Sequence, residues 1–135
     1  MRIGFDAKRL YNNFTGLGNY SRFVVDALHT SFPEEELELF TPRIKEHPEV
    51  EKYRSDKTLQ TILPSALIRN IKLGSVWRSF GLTKLARAHK LDIFHGLSHE
   101  LPYGISKSCK SVLTVHDLIF LRSPQFYNPL DRWIY

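Results

Sequence analysis

The sequence contains a single cysteine, Cys109, among its 135 residues. One cysteine cannot form an internal disulfide, so the chain suits a reducing compartment and we expect a cytoplasmic protein. No apolar stretch approaches the roughly 18 residues that a membrane-spanning helix needs, and the first residues lack the apolar segment of a signal peptide. These absences argue against a disulfide-stabilised secreted domain and against an integral membrane protein.

Dense runs of lysine and arginine are also absent, although 19 basic and 14 acidic residues leave a net charge of +5. A mild basic excess suits an anionic ligand or an acidic membrane surface, and it is equally compatible with a solvated surface. Nucleic-acid-binding domains concentrate their basic residues, so we expect no nucleic acid partner. The hydrophobic content of 42% is enough for a compact core and is not typical of disorder.

Short apolar segments alternate with helical patterns along the chain. Strand patterns cover 2–7, 37–41, 59–63, 91–96 and 111–115. Helical periodicity covers 19–29, 77–89 and 128–135, whereas 8–15 predicts a loop and 43–57 a loop or a short surface helix. Strands separated by helices imply crossover connections. We therefore predict an α/β fold, a Rossmann-like parallel sheet with helices on both faces.

The last helical pattern, 128–135, has no glycine, proline or other signal that ends a helix. We therefore expect the natural protein to continue. On this interpretation residues 1–135 are a single domain and a fragment of a longer chain.

In open parallel sheets, ligands bind at the carboxyl ends of the strands, which selects three segments here. The first is Gly16-Leu17-Gly18, directly before the helical pattern that starts at Asn19. Glycines allow close backbone approach, and a helix N-terminus offers N–H donors, so phosphate is a suitable ligand. The alternative is that the glycines only shape a loop and that Thr15 or Asn19 caps the helix.

A dinucleotide-binding fingerprint is a weaker interpretation of the same glycines. Gly16-x-Gly18-x-x-Ser21 nearly matches the G-x-G-x-x-G/A pattern. In that fingerprint the glycines follow the first strand directly and an acidic residue ends the second strand. Here a polar segment intervenes and Thr41-Pro42 ends the second strand, so we do not expect a nicotinamide cofactor.

The other two segments are rich in side chains that form hydrogen bonds. His95 to Tyr103 combines polar and aromatic groups, which suits a sugar. His116 and Asp117 directly follow an apolar strand, and a histidine there can donate or accept a proton near neutral pH. Neighbouring strand residues point to opposite faces, so Asp117 either assists His116 or caps the loop.

A metal site is the alternative use of these side chains, with His95, His99, His116, Glu100 and Asp117 as ligands. The histidines lack a recognised ligand spacing, and the sequence has no Asp-x-Asp motif. We therefore expect no metal and no other cofactor. A G-x-S-x-G nucleophile elbow is also absent, which argues against a Ser-His-Asp hydrolase.

Two sequence blocks carry a family resemblance. The first is Gly4-Phe5-Asp6-Ala7-Lys8-Arg9 with Thr15-Gly16-Leu17-Gly18-Asn19-Tyr20 after it, and the second is Val112-Leu113-Thr114-Val115-His116-Asp117-Leu118 with Pro124 downstream. Together, and in this order, they resemble the N-terminal domain of family 4 (group 1) glycosyltransferases. The resemblance covers nearly the whole chain. It implies a GT-B enzyme, in which two Rossmann-like domains face a cleft.

The resemblance also implies roles for individual residues. A C-terminal domain outside these residues would bind the nucleotide sugar through a glutamate pair, and the N-terminal domain would bind the acceptor. Gly16 and Gly18 would bind the donor diphosphate, and His116 would be catalytic, near the anomeric carbon. The candidates for the acceptor face are Asp6, Arg9, His99, Tyr103 and Asp117.

The activity implied is sugar transfer with retention of configuration, from a nucleotide sugar to a glycan or lipid-linked acceptor in surface polysaccharide biosynthesis. Peripheral contact with the inner face of the membrane is compatible with this activity, and the fragment alone would be inactive. The alternatives are another nucleotide-binding α/β enzyme, such as a sugar epimerase, and a non-catalytic sugar- or nucleotide-binding module. A second Rossmann pattern with a glutamate pair downstream would favour the transferase.

Overall fold

The computed structural model describes residues 1–71 and 73–117. Within these residues, five strands form one sheet in the order β3-β2-β1-β4-β5, and all neighbouring strands are parallel. The strands are β1 (Arg2–Asp6), β2 (Glu36–Phe40), β3 (Leu59–Ile62), β4 (Ile93–Gly96) and β5 (Lys110–Leu113). The chain runs outward from the central β1 to β3 and then returns to β4, which confirms the predicted Rossmann-like sheet.

Helices connect the strands. They are α1 (Lys8–Asn12), α2 (Gly16–Ser31), α3 (Pro48–Ser55), α4 (Ala66–Asn70), α5 (Gly74–Val76) and α6 (Leu82–Ala88). A π-helical segment, Trp77–Gly81, joins α5 to α6, and a 3₁₀ turn, Ile105–Lys107, precedes β5. In the part of the chain that the structure describes, no helix has the length and apolar character of a transmembrane span.

Apolar side chains cover both faces of the sheet. Leu39 belongs to a cluster that includes Val25 of α2, whereas Phe40 belongs to a separate cluster that includes Trp77 of the π-helical segment. These neighbours lie in different clusters because successive strand residues point to opposite faces. Helices therefore pack on both faces, as the sequence predicts.

A helix replaces the loop that the sequence predicts over 8–15. Lys8–Asn12 form α1, in which Leu10 and Tyr11 are fully buried. The Tyr11 hydroxyl also lies 2.5 Å from Thr61 Oγ1, at the end of β3. Tertiary burial stabilises a helix that is too short to show periodicity in the sequence.

The segment 43–57 contains a helix, which was one of its two predicted conformations. Pro48 begins α3, and the His47 ring accepts a hydrogen bond from the Glu49 N–H at 3.3 Å. Val50 and Tyr53 are fully buried, so the helix contributes to the core as well as to the surface. The helix predicted over 128–135 lies outside the described residues.

Candidate functional site

The carboxyl ends of three neighbouring strands meet at one edge of the sheet, which we call the sheet-edge site. Asp6 of β1 lies opposite Gly96 of β4, and Gly96 lies opposite Leu113 of β5. The Thr114 N–H donates to the Gly96 carbonyl at 2.9 Å and continues the pairing beyond β5. Segments that follow these strands are therefore brought together, as strand-end logic predicts.

His116 lies within this site, beside His99 and Tyr20. Its ring centroid is 5.4 Å from that of His99 and 4.9 Å from that of Tyr20. The His116 Nε2 is 2.9 Å from the Leu97 carbonyl oxygen, which can only accept a hydrogen bond. Nε2 therefore carries a proton, and the neutral ring keeps a lone pair on Nδ1.

Thr114 connects His95 to Tyr20 of α2. Its Oγ1 lies 2.9 Å from the His95 Nε2 and 3.2 Å from the Tyr20 hydroxyl. Burial lowers the pKa of His95 below its usual value of 6.5, because the imidazolium form is poorly solvated there. His95 therefore stays neutral at neutral pH and acts as a hydrogen-bonding link between β4 and β5.

His99 has an unusual backbone conformation. Its φ of 55° lies in the left-handed region, which non-glycine residues rarely adopt. The His99 N–H donates to the Thr114 carbonyl at 3.0 Å and holds this conformation. The fold thus imposes the turn that places the His99 ring next to His116, and such imposed conformations concentrate at ligand-binding sites.

Asp6 lies in the same edge but is engaged in a buried ion pair. Arg78 donates to Asp6 through Nε at 3.0 Å and through Nη2 at 2.5 Å, and its Nη2 also lies 2.6 Å from Glu100 Oε2. Asp6 and Arg78 are 7% and 9% exposed. The Asp6 carboxylate therefore binds the guanidinium in this structure.

Sequence reasoning missed Arg78 as a partner of Asp6. Burial alone would lower the pKa of the Arg78 guanidinium, but the charges and hydrogen bonds of Asp6 and Glu100 outweigh burial and raise it. Arg78 is 72 residues from Asp6 in sequence. The sequence contained one indication of this partner. Arg78 directly follows Trp77 in an apolar helical pattern, and an arginine is rarely buried there without a partner.

The other acceptor candidates lie apart from these contacts or on their margin. Tyr103 is 79% exposed, and its ring lies 6.0 Å from that of Phe80 in the π-helical segment. Arg9 is half-buried in α1, where its carbonyl accepts the Asn13 N–H. Asp117 is exposed at the end of the described range. Among the five acceptor candidates, His99 packs against His116, with 5.4 Å between the ring centroids.

Gly16 and Gly18 lie inside α2, because the helix begins at Gly16 and not at Asn19. The Asn13 Oδ1 accepts hydrogen bonds from the Thr15 N–H at 2.9 Å, the Thr15 hydroxyl at 2.9 Å and the Gly18 N–H at 3.1 Å. Thr15 occupies the N-cap position, but Asn13 supplies the capping oxygen. Gly16 is the first residue of α2, where N–H groups have no acceptor within the helix, whereas the Gly18 N–H already donates to Asn13, so Gly16 is the better placed of the two for a phosphate.

The surroundings of Gly16 and Gly18 predict different effects of an alanine substitution on stability. A Cβ at Gly18 would lie 1.7 Å from the Asn13 carbonyl oxygen, whereas a Cβ at Gly16 meets nothing within 4 Å. We expect Gly18→Ala to lower the free energy of unfolding by about 1–3 kcal/mol, the usual cost of overpacking. Gly16→Ala should leave it unchanged or raise it by up to about 1 kcal/mol, since alanine favours helix. Urea unfolding of both variants tests this, and equal losses would contradict it.

The described residues do not form an evident metal site. None of their histidine, cysteine, aspartate and glutamate side chains form a group of three or more that could hold an ion. The histidines instead contact the Leu97 carbonyl, Thr114 and one another.

Comparison of the chain with family models, with curated proteins and with solved structures finds no match.

Proposed function

We propose that this chain is the acceptor-side domain of a retaining GT-B glycosyltransferase, and that a second domain of the same protein completes its active site. The observation that carries the proposal is the contact between His116 and Tyr20, which sets a histidine beside the first turns of α2. A histidine lone pair and free helix N–H groups at one sheet edge are suited to a donor made of a sugar and a diphosphate.

The first turn of α2 would stabilise the leaving group. Departure of a nucleoside diphosphate develops negative charge, and oriented N–H donors at a helix N-terminus stabilise it. Gly16 is suited to this role because it is the first residue of α2, where N–H groups have no acceptor within the helix, and a Cβ built on it would meet nothing within 4 Å. Gly18 would contribute by allowing Asn13 to approach and cap the turn.

His116 would orient the donor sugar near the anomeric carbon. With its Nε2 proton held by the Leu97 carbonyl, the ring is available to accept a hydrogen bond from a sugar hydroxyl at Nδ1. The T-shaped packing on Tyr20 restrains the ring plane. Fixed geometry of this kind lowers the barrier because the group need not reorganise during the reaction.

The acceptor would bind beside His99 and Asp117, along the loops that follow β4 and β5. Asp6 would act through Arg78 and Glu100 as a positioning residue, because its carboxylate is engaged by the guanidinium. Arg9 and Tyr103 would contact only an acceptor that extends away from His116. A sugar fits the polar loops, since its hydroxyls need donors and acceptors together.

Peripheral contact with the inner face of the membrane forms part of the proposal, together with a lipid-linked acceptor in surface polysaccharide synthesis. Apolar side chains around α4 and α5 are strongly exposed, namely Leu67 (69%), Ile71 (54%), Val76 (51%) and Phe80 (58%). Arg69 lies among them in sequence, and Lys84 lines the same surface depression as Val76 and Phe80. Apolar side chains with basic neighbours bind anionic bilayers.

A screen of nucleotide sugars tests the proposed function. We expect the full-length protein to release nucleoside diphosphate from one donor in the presence of a glycan or lipid-linked acceptor. Residues 1–135 alone should release none, because the proposal assigns donor binding to a second domain. Turnover by residues 1–135 alone would refute the division of labour. Sugar binding by a full-length protein that turns over no donor would favour the alternative, a non-catalytic binding module.

A further inference from the structure

A basic cavity lies beside the buried ion pair of Asp6 and Arg78, and it is distinct from the contacts around His116. Its volume is about 460 Å³, within the roughly 300–1,000 Å³ typical of small-molecule sites. Four cationic side chains line it, together with Ser75 and the backbone of Gly74; they are Lys8, Arg43, Arg69 and Arg78. We call this the basic pocket.

Three of these four cations lack a carboxylate partner. Arg78 is neutralised by Asp6 and Glu100. Lys8, Arg43 and Arg69 form no ion pair with any carboxylate among residues 1–71 and 73–117. A solvated basic surface would spread these charges, whereas here three of them face one cavity.

The electrostatic cost of this arrangement is visible at Lys8. The Lys8 side chain is half-buried, and this burial, together with the positive charge of Arg78, lowers its pKa. An anion in the basic pocket would offset the loss of solvation and the repulsion at once. The carboxylates of Glu100 and Asp6 offset part of this cost, and an anion bound in the basic pocket would offset more of it.

Two hydrogen bonds fix the backbone of Arg43 beside the basic pocket. Its carbonyl accepts hydrogen bonds from the Thr41 hydroxyl at 2.7 Å and from the Asn12 side-chain amide at 3.0 Å. Thr41 is fully buried at the end of β2, and Asn12 belongs to α1. The base of the Arg43 side chain is therefore held by two elements.

We propose that the basic pocket binds a phosphate or diphosphate group of the acceptor, so that the substrate receiving the sugar is a phosphorylated one. The assignment of this phosphate to an acceptor rests on the proposed function, whereas the anion site itself does not. Guanidinium groups bind phosphate oxygens in bidentate pairs, and an ammonium group adds a point charge. The pocket borders the Asp6 edge of the sheet, so a phosphate there would leave the rest of the acceptor near the loops after β4.

Titration with inorganic pyrophosphate tests the anion site in the 135-residue chain. We expect NMR shifts confined to Lys8, Arg43, Ser75 and their neighbours, and a dissociation constant measurable by calorimetry. Arg43→Gln and Arg69→Gln should each weaken binding by about tenfold, because each removes a charge-assisted pair. Arg87→Gln, a matched loss of an exposed arginine on α6, should leave it unchanged. Absence of binding, or equal weakening in all three variants, would overturn the proposal.

Vesicles separate the two sources of such a phosphate, a lipid headgroup and a soluble phosphorylated saccharide. If the source is a lipid, vesicles of phosphatidylglycerol should bind the chain, pyrophosphate should displace it, and Arg43→Gln should weaken the binding, whereas phosphatidylcholine vesicles should not bind. If pyrophosphate binds but does not compete with the vesicles, the pocket takes a soluble acceptor. Either result supports a phosphate site.

Kinetics of the full-length protein distinguish failure of this inference from failure of the proposed function. Arg43→Gln should raise KM for a phosphorylated acceptor about tenfold while donor KM stays unchanged. A protein that transfers sugar but binds no pyrophosphate would refute the basic pocket and leave the transferase intact. A protein that binds pyrophosphate through Arg43 and Arg69 but consumes no nucleotide sugar would refute the transferase and with it the acceptor role.

Discussion

His116→Ala in the full-length protein is expected to lower kcat for sugar transfer by about 100-fold or more, the usual contribution of a positioned histidine in an active site. The variant should keep its fold, because His116 is only half-buried and its hydrogen bond goes to the Leu97 carbonyl, which water can satisfy. Steady-state kinetics measure kcat and donor KM, and circular dichroism checks the fold.

Two further variants distinguish catalysis from packing at this position. His116→Gln retains an amide N–H that can donate to the Leu97 carbonyl and an amide oxygen that can accept in place of Nδ1, so it should retain more activity than His116→Ala if His116 acts through hydrogen bonds. His29→Ala is a matched control, since His29 is also half-buried and lies at the opposite end of α2, where its Nε2 is 3.2 Å from Thr58 Oγ1 and 3.3 Å from Asp56 Oδ2. A kcat within a few-fold of wild type for His116→Ala would remove His116 from the mechanism.

Arg78→Leu is expected to lower the free energy of unfolding by about 3–5 kcal/mol, because it leaves the Asp6 carboxylate buried without its partner. The Asp6 side chain is 8% exposed, so water cannot replace the guanidinium. Urea unfolding measures the loss. Arg87→Leu, in the same helical run but exposed, should change the free energy by less than about 0.5 kcal/mol.

A double variant shows whether the cost comes from the orphaned charge. In Asp6→Leu/Arg78→Leu, both buried charges are absent, and Glu100 can be hydrated because its side chain is 31% exposed. Part of the lost stability should therefore return, since an apolar pair of similar volume often replaces a buried ion pair without penalty. If the double variant is as unstable as the sum of the single changes, the loss reflects packing.

Much of the fold could be predicted from the sequence because its signals are local. The five strand patterns are short, apolar and separated by helical periodicity, and the sheet contains each of them within about two residues of its predicted bounds. Helix α1 could not be predicted, because Leu10 and Tyr11 gain their stability from contacts that no short window contains. The π-helical segment Trp77–Gly81 was likewise predicted only as ordinary helix.

The meeting of the candidate residues at one edge of the sheet was predicted, and their contacts were predicted only in part. Strand-end logic brought His95, His99 and His116 to one edge, since the carboxyl ends of parallel strands must lie together. The same logic could not show that Asn13 caps α2 or that Thr114 joins His95 to Tyr20. Those hydrogen bonds depend on distances of a few ångströms, which periodicity does not encode.

The sequence by itself determined the fold class and the edge of the sheet at which the candidate side chains meet, because burial patterns and strand direction follow from local residue order. Only the tertiary structure decided that Asp6 binds Arg78 and that Lys8, Arg43 and Arg69 share one pocket. These side chains come from distant parts of the chain. Charges become partners or a ligand site only when folding removes the water between them and sets their separations.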